Sequence, residues 1–251
     1  MPQFTNFRSN RVHIFWLLAA GILLPQSVFA MHIMEGFLPV YWSITWYIVV
    51  IPFLLIGLMQ IRKKVSDNSK IKILLGVAGA FMFVLSALKL PSVTGSCSHP
   101  TGTGLGTILF GPFVMTVMGS IVLIFQALLL AHGGITTLGA NTFSMAVIGP
   151  FVAIATYKIF NFVKAPRWLS VFLCAFLGDL ATYVTTASQL ALAFPATEGG
   201  YSASWIKFMS IFAFTQVPLA ISEGVLTVII FNFMVKHNRE ELKVLNLEKG
   251  E

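Results

Sequence analysis

Six apolar runs, each close to the length of a membrane-spanning helix, set the limits on how this chain can fold. They cover residues 41–61, 71–90, 112–131, 142–162, 169–194 and 208–235. A helix needs about 20 apolar residues to cross the hydrocarbon core of a bilayer. Charged residues make up 10% of the chain, whereas soluble domains average about 25%. The sequence therefore predicts an all-α fold, a polytopic membrane helix bundle.

The start of the chain has the three parts of a secretory signal peptide. Two arginines precede an apolar stretch over 14–24, which is too short to span a bilayer comfortably, and a proline then breaks it. Small residues at 28 and 30 suit a cleavage after Ala30. We predict that residues 1–30 are removed and that the membrane domain, 31–251, begins with a free α-amine at Met31. The alternative is an uncleaved first anchor.

The basic residues predict the orientation of the bundle. The net charge is +7, and the basic residues cluster at 62–72, 158–167 and 236–239, between or after apolar runs. Such segments stay in the cytoplasm, so the charge indicates membrane topology and not nucleic-acid binding. The mature N-terminus is then outside and the C-terminus cytoplasmic, in a bacterial inner (cell) membrane.

An odd number of crossings is required by this orientation, although only six long runs occur. The segment 105–131 must enter the membrane and return, because both of its neighbouring loops are outside. Gly111 and Pro112 divide it, leaving a short leg over about 101–110. Ten helical residues reach only about 15 Å. We therefore predict about seven segments, with the third short or broken, buried in protein and close to the functional site.

The predicted outer side carries histidines that suit a transition metal. His32, as the second mature residue, offers its imidazole and its amide nitrogen, and Met31 offers its α-amine. One more imidazole completes a square-planar set of four nitrogens, which suits Ni(II), Cu(II) or low-spin Co(II) and not Zn(II) or Mg(II). His99 is the candidate, because Pro100 holds it extended in a loop of small residues.

Four other polar residues have two interpretations each. Glu35 is either an acceptor for the N–H of a ligating imidazole or a solvated charge. His132, at a predicted helix end beside two glycines, is the second candidate ligand, and we favour a structural role there. Asp179 and Glu223 lie within apolar runs, where charge is costly. They are functional or paired across helices, and their distance in sequence from the histidines favours pairing.

Three stretches resemble a known family. MHIMEGFLP at 31–39, SVTGSCSHPTGTGLGTILFGP at 92–112 and GGITTLGANTFSMAVIGPF at 133–151 are similar to the CbiM/NikM family. Its members are the metal-binding components of energy-coupling-factor transporters for cobalt and nickel. The resemblance covers nearly the whole mature chain, and the first motif is specific because its place after a cleavage site is part of the pattern.

The resemblance implies that Met31, His32 and His99 bind the ion, in agreement with the coordination argument. It also implies seven helices, with the N-terminus inserted into the bundle and Asn141 close to the site as a supporting residue. Met34 followed by Glu35 resembles the cobalt branch of the family. The expected ligand is transported Co(II), with Ni(II) as the alternative, and no permanent cofactor is expected. Supply of cobalamin biosynthesis is the implied role.

Partners follow from the same resemblance. The sequence has no phosphate-binding loop of the Gly-rich, Lys-Ser/Thr type, so the chain is not expected to be an enzyme and ATP hydrolysis is expected on another subunit. The family implies a transmembrane coupling subunit, two ATPase subunits and a small accessory membrane protein. Gly76 and Ala80 form a small-xxx-small pair that permits close helix approach. It serves either the coupling interface or internal packing.

Three rival functions fit the sequence less well. A membrane metalloprotease needs His-Glu-x-x-His or a comparable zinc site, and no two histidines lie four apart. A stand-alone secondary carrier often has two related halves and several intramembrane carboxylates, whereas no internal repeat is evident here. A passive sensor needs an output domain that the short tail cannot hold.

Overall fold

A computed structural model describes residues 32–88, 90–91, 97–237 and 245. The predicted signal peptide, 1–30, and the predicted first mature residue, Met31, lie outside the described residues. Both therefore stay predictions.

Seven helices make up nearly all of the described structure, as the sequence predicts. They are α1 (Val40–Asp67), α2 (Ile71–Ala87), α3 (Thr103–Phe110), α4 (Pro112–Leu130), α5 (Leu138–Phe162), α6 (Arg167–Ala193) and α7 (Gly200–His237). The strands in the described ranges form one two-residue antiparallel ladder, β1 (Leu90–Pro91) with β2 (Cys97–Ser98). Within α5, Thr142–Ile148 is a π-helix, a form that often occurs at functional sites.

Five of these helices are long and apolar enough to cross a membrane: α1, α4, α5, α6 and α7. Helix α2, with 17 residues, is apolar but shorter. Large apolar side chains remain exposed on the outside of the bundle, such as Val40, Ile73 and Leu129. Apolar surface of this kind is stable against lipid and not against water. The chain is therefore a multi-pass membrane protein.

Helix α3 is the predicted short third segment. It has eight residues, all buried, and it ends at Gly111, whose φ of 91° lies in the left-handed region. Helix α4 then starts at Pro112, which is favourable at the first position of a helix. A Cβ at Gly104 would lie 2.8 Å from the Cα of Ala175, so the glycine lets α3 pack directly on α6. Helix α3 itself is thus enclosed by protein, whereas Gly111 and Pro112 at the break are half-buried.

Successive helices run in alternating directions, so the loops between them fall at two opposite ends of the bundle. The basic segments follow α1, join α5 to α6 and end α7, so they share one end. His32, His99 and His132 precede α1, precede α3 and follow α4, which places them at the opposite end. Two boundaries differ from the apolar runs. Helix α7 begins at Gly200 and α5 at Leu138. The first turn of α5 is largely buried against protein and tolerates glycine and asparagine, whereas Tyr201 and Ser202 at the start of α7 are exposed.

Candidate metal centre

Three histidines come together at the end of the bundle opposite the basic segments. The ring centroids of His32, His99 and His132 lie 4.9–5.1 Å apart, and one ligand atom from each lies within 4.8 Å of the others. The three residues are 1%, 0% and 4% exposed. Two nitrogens on opposite sides of one ion are about 4 Å apart, since metal–nitrogen bonds are about 2 Å. A small inward movement of the rings therefore suffices to bind one metal ion.

The N-terminal segment is attached to α5 by a side chain that pairs with its backbone. Asn141 accepts a hydrogen bond from the N–H of Ile33 at 2.8 Å and donates one to its carbonyl at 3.0 Å. The Thr137 hydroxyl donates to the same carbonyl at 2.6 Å. All three residues are buried. These bonds fix the residue after His32, and hence the direction in which the His32 ring enters the bundle.

Two glycines after α4 let the N-terminal segment approach closely. A Cβ at Gly134 would lie 2.6 Å from the nitrogen of Glu35, which excludes any side chain. The N–H of Glu35 donates to the carbonyl of Gly133 at 3.2 Å. The exposed Glu35 carboxylate accepts the N–H of Thr136 at 3.1 Å. The structure thus gives Glu35 a role in holding this segment, while its proposed bond to an imidazole stays a prediction.

His99 is held by its own backbone. Its Nδ1 lies 2.9 Å from the carbonyl oxygen of Pro100. Because a carbonyl only accepts, this hydrogen bond requires the proton on Nδ1 and leaves the lone pair on Nε2. A hydrogen bond of this kind orients a ligating imidazole and selects its tautomer. His99 is therefore prepared to bind a metal through Nε2.

His132, the second candidate ligand from the sequence, belongs to the cluster, although we favoured a structural role for it. Ala131 ends α4 in the left-handed conformation, with φ 47° and ψ 45°, and the N–H of His132 returns to the carbonyl of Gln126 at 3.2 Å. This sharp turn directs the ring inward, towards His32. The interpretation of His132 as a helix-end residue missed the inward turn, because glycine is the usual residue in this conformation and alanine occupies it here.

The two intramembrane carboxyl groups have different surroundings, and among the described residues neither has the partner on another helix that we favoured. Glu223, on α7, accepts hydrogen bonds from the backbone N–H groups of Thr101 and Gly102 and from the Thr101 hydroxyl. The carboxylate of Asp179, on α6, is buried and has no hydrogen bond in the part of the chain that the structure describes. The favoured structural pairing across helices is therefore wrong, and Glu223 contacts the loop that carries His99.

A cavity of about 400 Å³ borders the histidine cluster. Its lining is mostly apolar, with Phe37, Leu190 and Phe212 among its residues, and His32 forms part of the wall. Of the three histidines in the cluster, His32 is the one that lines the cavity.

The predicted interface residues lie elsewhere. Gly76 and Ala80 are exposed on α2, and among the residues that the structure describes a Cβ at Gly76 would have no neighbour within 4 Å. Packing of this pair against the described helices is thus excluded. A contact with a partner subunit at this surface stays a prediction.

Together, fold and site define a class: multi-pass membrane proteins with a buried imidazole cluster that suits a transition metal ion. Within that class the family is also shown. The chain belongs to the CbiM family, because residues 32–241 match its model, described as the cobalt uptake substrate-specific transmembrane region.

Relatives and solved structures agree with this membership. The chain is 60% identical over 244 residues to a cobalt transport protein CbiM of Moorella thermoacetica, with 97% of this chain and 94% of the relative covered. It is 61% identical over 241 residues to one of Roseiflexus sp., with 94% and 96% covered. A crystal structure of a truncated transition metal transporter is similar at TM-score 0.70 and 26% identity, covering 82% of this chain and 99% of that one.

Proposed function

We propose that this chain captures Co(II) at the outer face of a bacterial cell membrane and delivers it to an ATP-driven uptake complex. The observation that carries the proposal is the buried cluster of His32, His99 and His132 at one end of an apolar bundle. Membership of a family described by cobalt uptake, and relatives named cobalt transport proteins, support the choice of metal.

The proposed ligands are nitrogen atoms. Cleavage after Ala30 gives Met31 a free α-amine, with a pKa near 8 in the absence of other influences, so a metal ion displaces its proton at neutral pH. The amine, the amide and imidazole nitrogens of His32 and the Nε2 of His99 form the square-planar set. His132 adds a third imidazole beside this plane. Neutral imidazoles in an apolar site favour a transition metal over Mg(II) or Ca(II).

The proposed orientation follows the basic residues. The segments that follow α1, join α5 to α6 and end α7 lie in the cytoplasm, so the histidine cluster faces outside. Transport then needs energy from other subunits, since the chain lacks a phosphate-binding loop. The proposed complex contains a transmembrane coupling subunit, two ATPase subunits and a small accessory membrane protein. Cobalamin biosynthesis is the proposed use of the imported cobalt.

An uptake experiment separates this function from that of a secondary carrier. The chain is expressed in cells without cobalt uptake, together with coupling and ATPase subunits of a bacterial cobalt transporter, and accumulation of radioactive cobalt is measured. We expect accumulation at least about tenfold above cells without the chain, and we expect it to disappear when the nucleotide-binding lysine of the ATPases is replaced. The same cells receive radioactive nickel, to compare the two metals.

Three results would contradict the proposal. Equal accumulation with inactive ATPases, abolished by an uncoupler of the proton gradient, would indicate a secondary carrier. Accumulation of nickel in preference to cobalt would indicate the nickel branch. Absence of accumulation, with the complex assembled in the membrane, would contradict uptake altogether.

A further inference from the structure

Glu223 binds the segment that follows His99. Its carboxylate oxygens accept the N–H of Thr101 at 2.5 Å, the Thr101 hydroxyl at 2.9 Å and the N–H of Gly102 at 3.0 Å. Glu223 and Thr101 are both fully buried. A carboxylate inside a membrane bundle is costly and is retained where it has a function. Three donors from one segment converge on this side chain, which indicates that the carboxylate holds that segment in place.

The segment on the other side of His99 is also attached to α7. The Gln216 amide donates to the Ser98 hydroxyl at 2.6 Å, and the Thr215 hydroxyl lies 3.3 Å from the same oxygen. Ser98 directly precedes His99, and Thr101 follows it by two residues. One helix therefore holds the chain before and after the histidine, at positions on either side of Pro218.

The carboxylate is chemically specific for this arrangement. A carboxylate accepts hydrogen bonds at both oxygens, whereas a glutamine presents an NH₂ group at one of them. Thr101 and Gly102 each direct a backbone N–H at the side chain. In a Glu223→Gln variant one of those N–H groups would face another donor. The backbone after His99 would then have to move, although the size of the side chain is unchanged.

We propose that Glu223 is a positioning residue, which sets the coordination geometry of His99 by holding Thr101 and Gly102 against α7. This inference rests on the proposed function, since it assumes that His99 binds the ion. In this arrangement α7 determines the position of one metal ligand, His99. The same helix extends to the basic end of the bundle. A positioning role differs from general stabilisation of the fold, because loss of Glu223 would change the affinity for the metal and the geometry of its ligands.

Two variants with matched chemistry test the proposal in purified full-length protein. Glu223→Gln alters the contact with the loop. Asp179→Asn removes a second buried carboxyl group, within electrostatic range of Glu223, that has no hydrogen bond to the loop in the described residues.

Co(II) affinity is measured by calorimetry and the ligand field by the visible absorption of bound Co(II). We expect Glu223→Gln to weaken binding about 10- to 100-fold, as is typical for groups that orient metal ligands, and to shift the Co(II) spectrum. Asp179→Asn is expected to change neither.

A double variant makes the test independent of stability. If Glu223 acts through His99, then adding Glu223→Gln to His99→Ala produces little further loss of affinity, because residues in one network are not additive. If Glu223→Gln does not fold, Thr101→Val replaces it. That variant removes one donor at nearly constant volume, and we expect a several-fold loss with a spectral shift in the same direction.

The outcomes separate this inference from the proposed function. A wild-type protein that binds no Co(II) would overturn both. A wild-type protein that binds, with an unchanged spectrum in Glu223→Gln and Thr101→Val, would overturn the positioning role alone. So would equal losses of affinity from Glu223→Gln in the wild-type and His99→Ala backgrounds.

Discussion

Replacing His32 with alanine will reduce the Co(II) affinity of the purified protein by at least about 100-fold, which corresponds to about 2.8 kcal/mol. The ring of His32 lies 5.1 Å from that of His99 and 4.9 Å from that of His132. Without it, the ion loses the imidazole nitrogen of His32, which is one of the four nitrogens of the proposed square-planar set. Calorimetric titration with Co(II) measures the change.

A matched control is available in His237, which is exposed at the far end of α7. We expect His237→Ala to bind Co(II) as the wild type does. Equal affinities of the His32→Ala variant and the wild type would place the metal elsewhere. A loss in both variants would indicate binding to surface histidines.

The second large effect is expected at Asn141, which holds the N-terminal segment without being a proposed ligand. In Asn141→Leu the size of the side chain is nearly kept, but the N–H of Ile33 loses its acceptor and the Ile33 carbonyl loses one donor. The carbonyl keeps the Thr137 hydroxyl as a donor, whereas the buried N–H is left unsatisfied, which costs about 1–3 kcal/mol. We expect Co(II) affinity to fall about 10- to 100-fold, together with a lower melting temperature, because the segment that carries His32 is held less firmly. Calorimetry and thermal unfolding measure the two effects.

Gln189→Leu is the control for this change. Gln189 is equally buried and donates to the carbonyl of Ala140 at 3.1 Å, so its loss affects the same helix without touching the N-terminal segment. The control is expected to lower stability while leaving affinity within about threefold of the wild type. If Asn141→Leu also lowers only stability, then the hydrogen bonds to Ile33 do not position the metal ligand.

The sequence predicts the topology of the fold well. Apolar length and basic loops require an extra crossing, and Gly111 followed by Pro112 shows where the chain reverses. These signals are local, since a glycine with positive φ and a proline at a helix start act within one turn. The start of α5 at Leu138 is predicted less well, because burial of its first turn against other helices replaces apolar sequence there.

The site was predicted in part. His32 and His99 are brought together, and Asn141 does lie close to the N-terminal segment. The sequence gives His132 as the second candidate ligand, and topology alone supports it, since it lies at the same end of the bundle as the other two histidines. Its role was obscured by Ala131, which adopts the left-handed conformation without the glycine that signals it.

Glu223 could not have been assigned from the sequence. It contacts Thr101 across 122 positions of the chain, and nothing local in either segment encodes that contact. The distance in sequence between Glu223 and the histidines suggested that they were unrelated. The packing of α7 on this loop is a tertiary contact, so the sequence of either segment alone does not reveal it.

The most direct test of the central claim is an X-ray absorption spectrum of cobalt bound to the purified mature protein. We predict nitrogen atoms as the nearest neighbours of the metal, at about 2 Å, with the more distant scattering pattern of at least two imidazole rings. That pattern should weaken in the His32→Ala and His99→Ala variants. Six oxygen neighbours, or a sulfur at about 2.3 Å, would show that the ion binds outside the histidine cluster and would contradict the account.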